Sequence, residues 1–147
     1  MLRAATGIIE GGVHRFAVRV YFEDTDLSGV VYHANYLRYM ERARSDLLHV
    51  LGIDQRAAHE AGEGAWAVAD LAVRYRAPAR LGDELLVETR CLKLGAASVE
   101  MAQSILRDGM RLTEATVRAG FVAPDGRPRR QPADWLARFS ALAPASA

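Results

Sequence analysis

The reactive side chains of this chain crowd into one stretch, with Asp24, Asp26, Tyr32, His33, Asn35 and Tyr36 following one another closely. Two carboxylates, an imidazole and a carboxamide at that density suit acid–base or nucleophilic work on a polar bond. The stretch also opens like a calcium loop: Asp24-Thr25-Asp26-Leu27-Ser28-Gly29 puts acids at the first and third places and Gly at the sixth. The match stops there. The twelfth place is Asn35, where a calcium loop needs a bidentate Glu, and a strand pattern rather than a helix leads into it. No metal site is expected. The better chemistry uses the backbone, because a helix is expected to begin at Asn35, and the unpaired N–H groups of a first helical turn carry partial positive charge. Such an end can hold an anion or a developing oxyanion. If the loop folds Asp26 towards it, a carboxylate faces an electrophilic pocket, the minimum needed to attack an acyl carbonyl.

Holding that pair in place takes a strand before the loop and a helix after it. From Arg15 to Glu23, Phe16, Val18, Val20 and Phe22 alternate with Ala17, Arg19 and Tyr21, the pattern of a half-buried strand. From Asn35 to Leu51 the period becomes helical, with Tyr36, Met40, Ala43 and Leu47 spaced by four, three and four. Gly52 stops that helix, and Ile53 to Ala61 reads as a second, short one. Four strand-like runs follow: Trp66 to Ala77, Glu84 to Leu94, Ser98 to Arg107 and Arg111 to Ala123. Short connections carrying Pro78, Gly82-Asp83, Gly95, Asp108-Gly109 and Pro124-Asp125-Gly126 make them an antiparallel meander. Asp134 to Leu142 closes the chain as a small amphipathic helix, while the first dozen residues and the tail Ala141 to Ala147 are expected to fray. The fold class is therefore α+β, a five-stranded antiparallel sheet with one principal helix on one face. A single helix leaves apolar sheet surface uncovered, so a homodimer or homotetramer is expected.

The chain has 147 residues, half of them hydrophobic, which suits one domain over 1–147 with an ordered core at about 14–140. A formal net charge of +1 with 25% charged residues excludes an acidic disordered tail and a strongly basic nucleic-acid coat. Cys91 is the single cysteine, so neither an internal disulfide nor a Cys-rich zinc site is available. No run approaches the roughly 20 apolar residues of a membrane span, and none near the start has signal-peptide form. A soluble, cytoplasmic protein is expected.

The run Val20-Tyr21-Phe22-Glu23-Asp24-Thr25-Asp26-Leu27-Ser28-Gly29-Val30-Val31-Tyr32-His33-Ala34-Asn35-Tyr36, continued by Tyr39-Met40-Glu41-Arg42-Ala43-Arg44, resembles the hotdog-fold acyl-CoA thioesterases. More narrowly it resembles the 4-hydroxybenzoyl-CoA thioesterase family and its Tol-Pal-associated branch. Val73 to Asp83 and the order of elements extend the likeness. The resemblance implies a curved antiparallel sheet wrapped around one long central helix, with two copies joined at the Trp66 to Ala77 strand so that each site draws on both. It implies that Asp26 attacks the thioester carbon or activates water, and that the backbone N–H of His33 polarises the carbonyl. Among substrate-binding residues, Gly29 permits the close turn, Tyr32 and Tyr36 shape the pocket, and Asn35 caps the helix. Some relatives of this fold carry their carboxylate on the helix, which makes Glu41 the reserve catalytic candidate. No metal or redox cofactor is implied; coenzyme A enters only as part of the acyl-CoA substrate. The Tol-Pal likeness adds an expectation of association with the inner membrane.

Each residue has a plainer role to set beside this. Asp24 serves as a turn residue, His14, His49 and His59 as surface or packing residues, and Tyr36 and Met40 as core. Glu41 and Arg44 fit an exposed ion pair, and Arg127, Arg129 and Arg130 a solvated turn. The rival functions are an acyl-carrier-protein thioesterase or dehydratase of the same fold, and a non-catalytic acyl-binding or scaffold protein.

Overall fold

The computed structural model describes residues 1–142; of the tail expected to fray, Ala141 and Leu142 lie in a closing 3-10 turn, and 143–147 fall outside the described residues. Six strands form: β1 (Ile8–Glu10), β2 (Val13–Arg19), β3 (Ala65–Tyr75), β4 (Glu84–Leu94), β5 (Ser98–Arg107) and β6 (Met110–Val122). The helices are α1 (His33–Val50), α2 (Gln55–Glu60) and α3 (Ala133–Arg138). All strand pairings are antiparallel, and the order across the sheet is β1-β2-β4-β5-β6-β3.

The sixth strand corrects the five expected. It is β1, within the residues expected to fray, and it pairs Ile8 with Arg15 and Glu10 with Val13 across the Gly11-Gly12 turn. Both glycines have positive φ, which a hairpin this tight requires. Two apolar residues beside glycines give too short an alternation to read as a strand. β2 is also displaced from Arg15–Glu23: the ladder ends at Arg19, and Phe22–Asp24 coil into a 3-10 turn. Phe22 is exposed there, so the alternation through position 22 did not mark a buried face.

α1 runs 18 residues and buries Tyr36, Tyr39, Met40, Ala43, Leu47 and Leu48 against one sheet face, the stripe its period required. Its end is a Schellman motif: Ile53 N–H donates to Leu48 C=O at 2.9 Å and Gly52 N–H to His49 C=O at 3.0 Å. Gly52 takes the left-handed φ of 76° that this motif demands. Two apolar clusters fill the helix–sheet interface. One joins the first half of α1 to Val87, Ile105, Leu112 and Val117; the other joins Leu47, Leu48 and Leu51 to Met101, Phe121, Trp135 and Phe139. β3 is different, since it pairs only with β6 and Val68, Leu71 and Tyr75 remain 42–52% exposed along it. No described helix is long and apolar enough to cross a membrane.

Candidate active site

The loop between β2 and α1 is pinned by its own backbone. Asp26 N–H donates to Val30 C=O at 2.9 Å and Gly29 N–H to Asp26 C=O at 3.0 Å, closing a tight turn in which Gly29 has φ 81°. That left-handed value is the reason a glycine stands there. The far side of the turn is tied to the segment before β4, through Val31 N–H to Ala79 C=O at 2.8 Å. Asp26 therefore sits on a short, closed and exposed turn. One carboxylate oxygen accepts the Ser28 N–H at 2.8 Å and the Ser28 hydroxyl, and these bonds hold the carboxyl below its ordinary pKa, the hydroxyl contributing most.

α1 begins at His33, not at Asn35 as expected, and Tyr32 is its N-cap residue without a side-chain capping bond. Asn35 is thus not the cap. It lies in the first turn, and its Nδ2 donates to Asp24 C=O at 2.8 Å, an oxygen that also accepts Tyr32 N–H at 2.9 Å. Asp24 is in this way the knot between loop and helix: its carboxylate accepts Tyr21 N–H at 2.8 Å while its carbonyl holds the helix start. A turn role was legible for Asp24, but not its hold on α1, since hydrogen bonds between residues 24 and 35 leave no periodic signal. The carboxylates of Asp24 and Asp26 are engaged by backbone or Ser28, and no group of three metal-ligating side chains occurs among the described residues.

An aromatic wall flanks the helix start. The Tyr32 and His33 rings lie 4.5 Å apart, Tyr75 meets His33 edge-on at 6.4 Å, and Tyr36 meets Tyr75 at 5.5 Å. Tyr75, which the sequence did not single out, also donates its hydroxyl to His33 C=O at 2.9 Å and so joins β3 to the helix start. Tyr36 is buried, and its hydroxyl accepts the Ala79 N–H at 2.9 Å, so it supports the wall from beneath. Below it Tyr39 is buried without a hydrogen-bond partner for its hydroxyl among the described residues; burial first, then the neighbouring Asp24, pushes its pKa up.

Asp26, Gly29, Tyr32, His33, Asn35 and Tyr36 therefore share one end of the fold. Glu41 does not. It lies two turns along α1, exposed, and forms no ion pair with Arg44, which bonds Gln103 instead. The arginine cluster after β6 is not simply solvated either: Arg129 donates to Gly62 and Glu63 carbonyls at 3.1 and 2.9 Å. Cys91 is buried, and burial raises its thiol pKa, so it is no nucleophile.

A six-stranded antiparallel sheet against one helix is the architecture of the hotdog thioesterases. The chain belongs to the thioesterase superfamily: the family model of that name matches residues 28–114, beginning just after Asp26. The acyl-CoA thioesterase YbgC of Haemophilus influenzae is 42% identical over 107 residues, covering 73% of this chain and 79% of that one. The acyl-CoA thioester hydrolase YbgC of Escherichia coli O6:H1 is 39% identical over 127 residues, 85% of this chain and 94% of the relative. Among solved structures, a probable thioesterase from Bartonella henselae superposes with a TM-score of 0.78 at 36% identity, covering 82% of this chain and 99% of the other.

Proposed function

We propose that this protein hydrolyses acyl-CoA thioesters to the free acid and coenzyme A. The observation that carries the proposal is that the turn bearing an exposed Asp26 is tied through Asp24 C=O to the start of α1, a helix N-terminus that no N-cap side chain covers, in a chain 39–42% identical to acyl-CoA thioesterases. The thioester oxygen is polarised by the His33 N–H, where α1 presents its positive end. Asp26 then acts in one of two ways. As nucleophile, its oxygen bonds to the acyl carbon, the C–S bond breaks, coenzyme A leaves as thiolate, and water hydrolyses the resulting anhydride. As general base, it takes a proton from water as the water oxygen bonds to the same carbon. A thiolate leaves more readily than an amine, since a thiol pKa is about 8.5, so a site without a full nucleophile–base–orienter triad is sufficient. Tyr32, Tyr36 and Gly29 shape the site in this proposal, and Asn35 is reassigned from cap to tether between loop and helix. The reaction as proposed needs no metal or redox cofactor.

The proposal includes a second copy of the chain. β3 presents an unpaired edge with exposed Val68, Leu71 and Tyr75, and Tyr75 belongs to the aromatic wall, so a copy added there would complete both sheet and site. A dimer joined at β3, able to pair again into a tetramer, fits both features. A cytoplasmic setting, with association at the inner membrane, is part of the same reading through its Tol-Pal resemblance.

The test is thiol release from short, long and aromatic acyl-CoA esters by the wild-type protein and Asp26→Asn. Turnover is expected to fall at least a hundredfold in the variant, with circular dichroism and oligomeric state unchanged. Undiminished turnover would remove Asp26 from the mechanism. No release from any ester by wild-type protein would favour an acyl-carrier-protein substrate or the scaffold role.

A further inference from the structure

The helix start that polarises the thioester oxygen in the proposed reaction has no side-chain capping bond, so other contacts must keep the His33 N–H aimed. That N–H lies in the peptide plane shared with the Tyr32 carbonyl, and a planar peptide is oriented by whatever holds its oxygen. The Tyr32 C=O accepts the Asn35 N–H at 2.8 Å, which is one restraint. The next plane begins at the His33 carbonyl, and the Tyr75 hydroxyl donates to that oxygen at 2.9 Å. Only φ and ψ of His33 separate the two planes, so holding both oxygens leaves the N–H little freedom.

Tyr75 is placed for this by the sheet rather than by the loop. It is the last residue of β3, paired with Thr113 on β6, and the Arg76 N–H that follows donates to Leu112 C=O at 2.8 Å. Its ring is braced against Tyr36 at 5.5 Å, and the Tyr36 hydroxyl is itself bonded to the Ala79 N–H. Partial burial first, then the neighbouring Tyr36, pushes the Tyr75 phenol above its ordinary pKa, which keeps its proton available for donation. Among the described residues this is the one side-chain hydrogen bond between β3 and α1, and no other side chain bonds the His33 backbone. An oxyanion donor acts by being aimed before charge develops, so a contact that fixes its direction bears on turnover more than on substrate binding.

We propose that Tyr75 is a positioning residue for thioester hydrolysis: its hydroxyl, by holding the His33 carbonyl, fixes the adjacent His33 N–H on the thioester oxygen and makes the edge strand β3 part of the oxyanion-binding device. The inference rests on the thioesterase reading, and it gives the Tyr75 hydroxyl a part in turnover that the aromatic wall does not require. The hydroxyl is spent on the His33 carbonyl, so it acts through that residue rather than on the acyl group.

Tyr75→Phe removes the hydroxyl and keeps the ring, so the wall survives while the restraint is lost. A displacement of about 1 Å at a reacting group can cost about a hundredfold, and loss of one restraint of two is expected to lower kcat about tenfold with KM within about twofold. Amide order parameters, measured by NMR on the full-length protein, should fall at His33 and stay unchanged at Ala43 in the middle of α1. Sedimentation equilibrium on the same samples should show the wild-type oligomeric state. The proposal is overturned by an unchanged kcat, by a rise in KM alone, which would make the hydroxyl a substrate contact, or by an unchanged order parameter at His33. A change of oligomeric state that accompanies the lost activity would overturn it as well, because the effect would then pass through assembly. The order parameter needs no turnover, so it decides the role of Tyr75 even if wild-type protein releases no thiol. Asp26→Asn, expected to abolish turnover while leaving His33 as ordered as in the wild type, separates failure of this inference from failure of the thioesterase reading.

Discussion

At the scale of single residues, the site depends on what holds Asp26 ionised. Asp26 is exposed, and the Ser28 bonds lower its pKa by donating to the carboxylate, against the smaller opposing effect of burial. The folded pKa is depressed, and the active form in the proposed reaction is the ionised one, so activity is present above that pKa and lost as pH falls through it. Ser28→Ala removes the hydroxyl, the larger contribution, and leaves the Ser28-position N–H. The acid limb of kcat/KM should therefore move to higher pH in Ser28→Ala, while the thermal midpoint stays within the usual range for an exposed substitution. A limb that stayed in place would mean that protonation of Asp26 does not set it. The residues around Asp26 were legible in the sequence because they are contiguous. Tyr75 was not, since its hydroxyl reaches His33 from 42 positions away.

At the scale of elements, α1 was readable because its apolar stripe and Gly52 are local signals, and the structure departs from the expectation only at its start. Asn35 has a carboxamide that suits a cap, yet it donates to Asp24 C=O from inside the first turn, while Tyr32 occupies the cap position. β1 was invisible because its alternation is too short to read, and only a tertiary contact shows how its hairpin with β2 is anchored. Asp46, on α1, accepts Gly7 N–H at 2.9 Å and bonds His14 Nε2 at 2.7 Å, drawing the N-terminal segment, β2 and the helix together. Gly7 leaves no room for a side chain, as a Cβ would stand 2.4 Å from Arg15 O and 2.7 Å from Asp46 Oδ2. Removing the hub should be felt across all three elements. His14 is fully buried, so Asp46→Ala leaves its imidazole and the Gly7 N–H without their shared acceptor. A loss of about 1–3 kcal/mol is expected from such unsatisfied groups, measurable by urea unfolding. Faster amide exchange in Ile8–Glu10 should accompany it; a stability loss without that change would place the damage elsewhere.

At the scale of the whole molecule, the family resemblance made the Trp66 to Ala77 strand an edge, and β3 is one, but its neighbour β6 is what sequence order concealed. The meander suggested β3 beside β4, but β3 crosses to the far edge and pairs with β6, leaving one side free. Alternating patterns mark faces, not neighbours, so this placement had no local signature. The free edge ends at Tyr75, beside His33, and joins the question of assembly to that of activity. Leu71 is 42% exposed in the middle of the strand and away from the aromatic wall. A lysine there costs the single chain little, because a surface substitution usually changes stability by at most about 0.5 kcal/mol. In a dimer joined at β3, two-fold symmetry brings the charge in twice at the centre of the joint. Leu71→Lys should therefore shift the protein towards a monomer in sedimentation equilibrium and lower thiol release in proportion to the dimer lost. Raising the protein concentration should restore both together. A variant that is monomeric yet fully active would separate the site from the assembly, and one that remains dimeric would locate the joint on another surface.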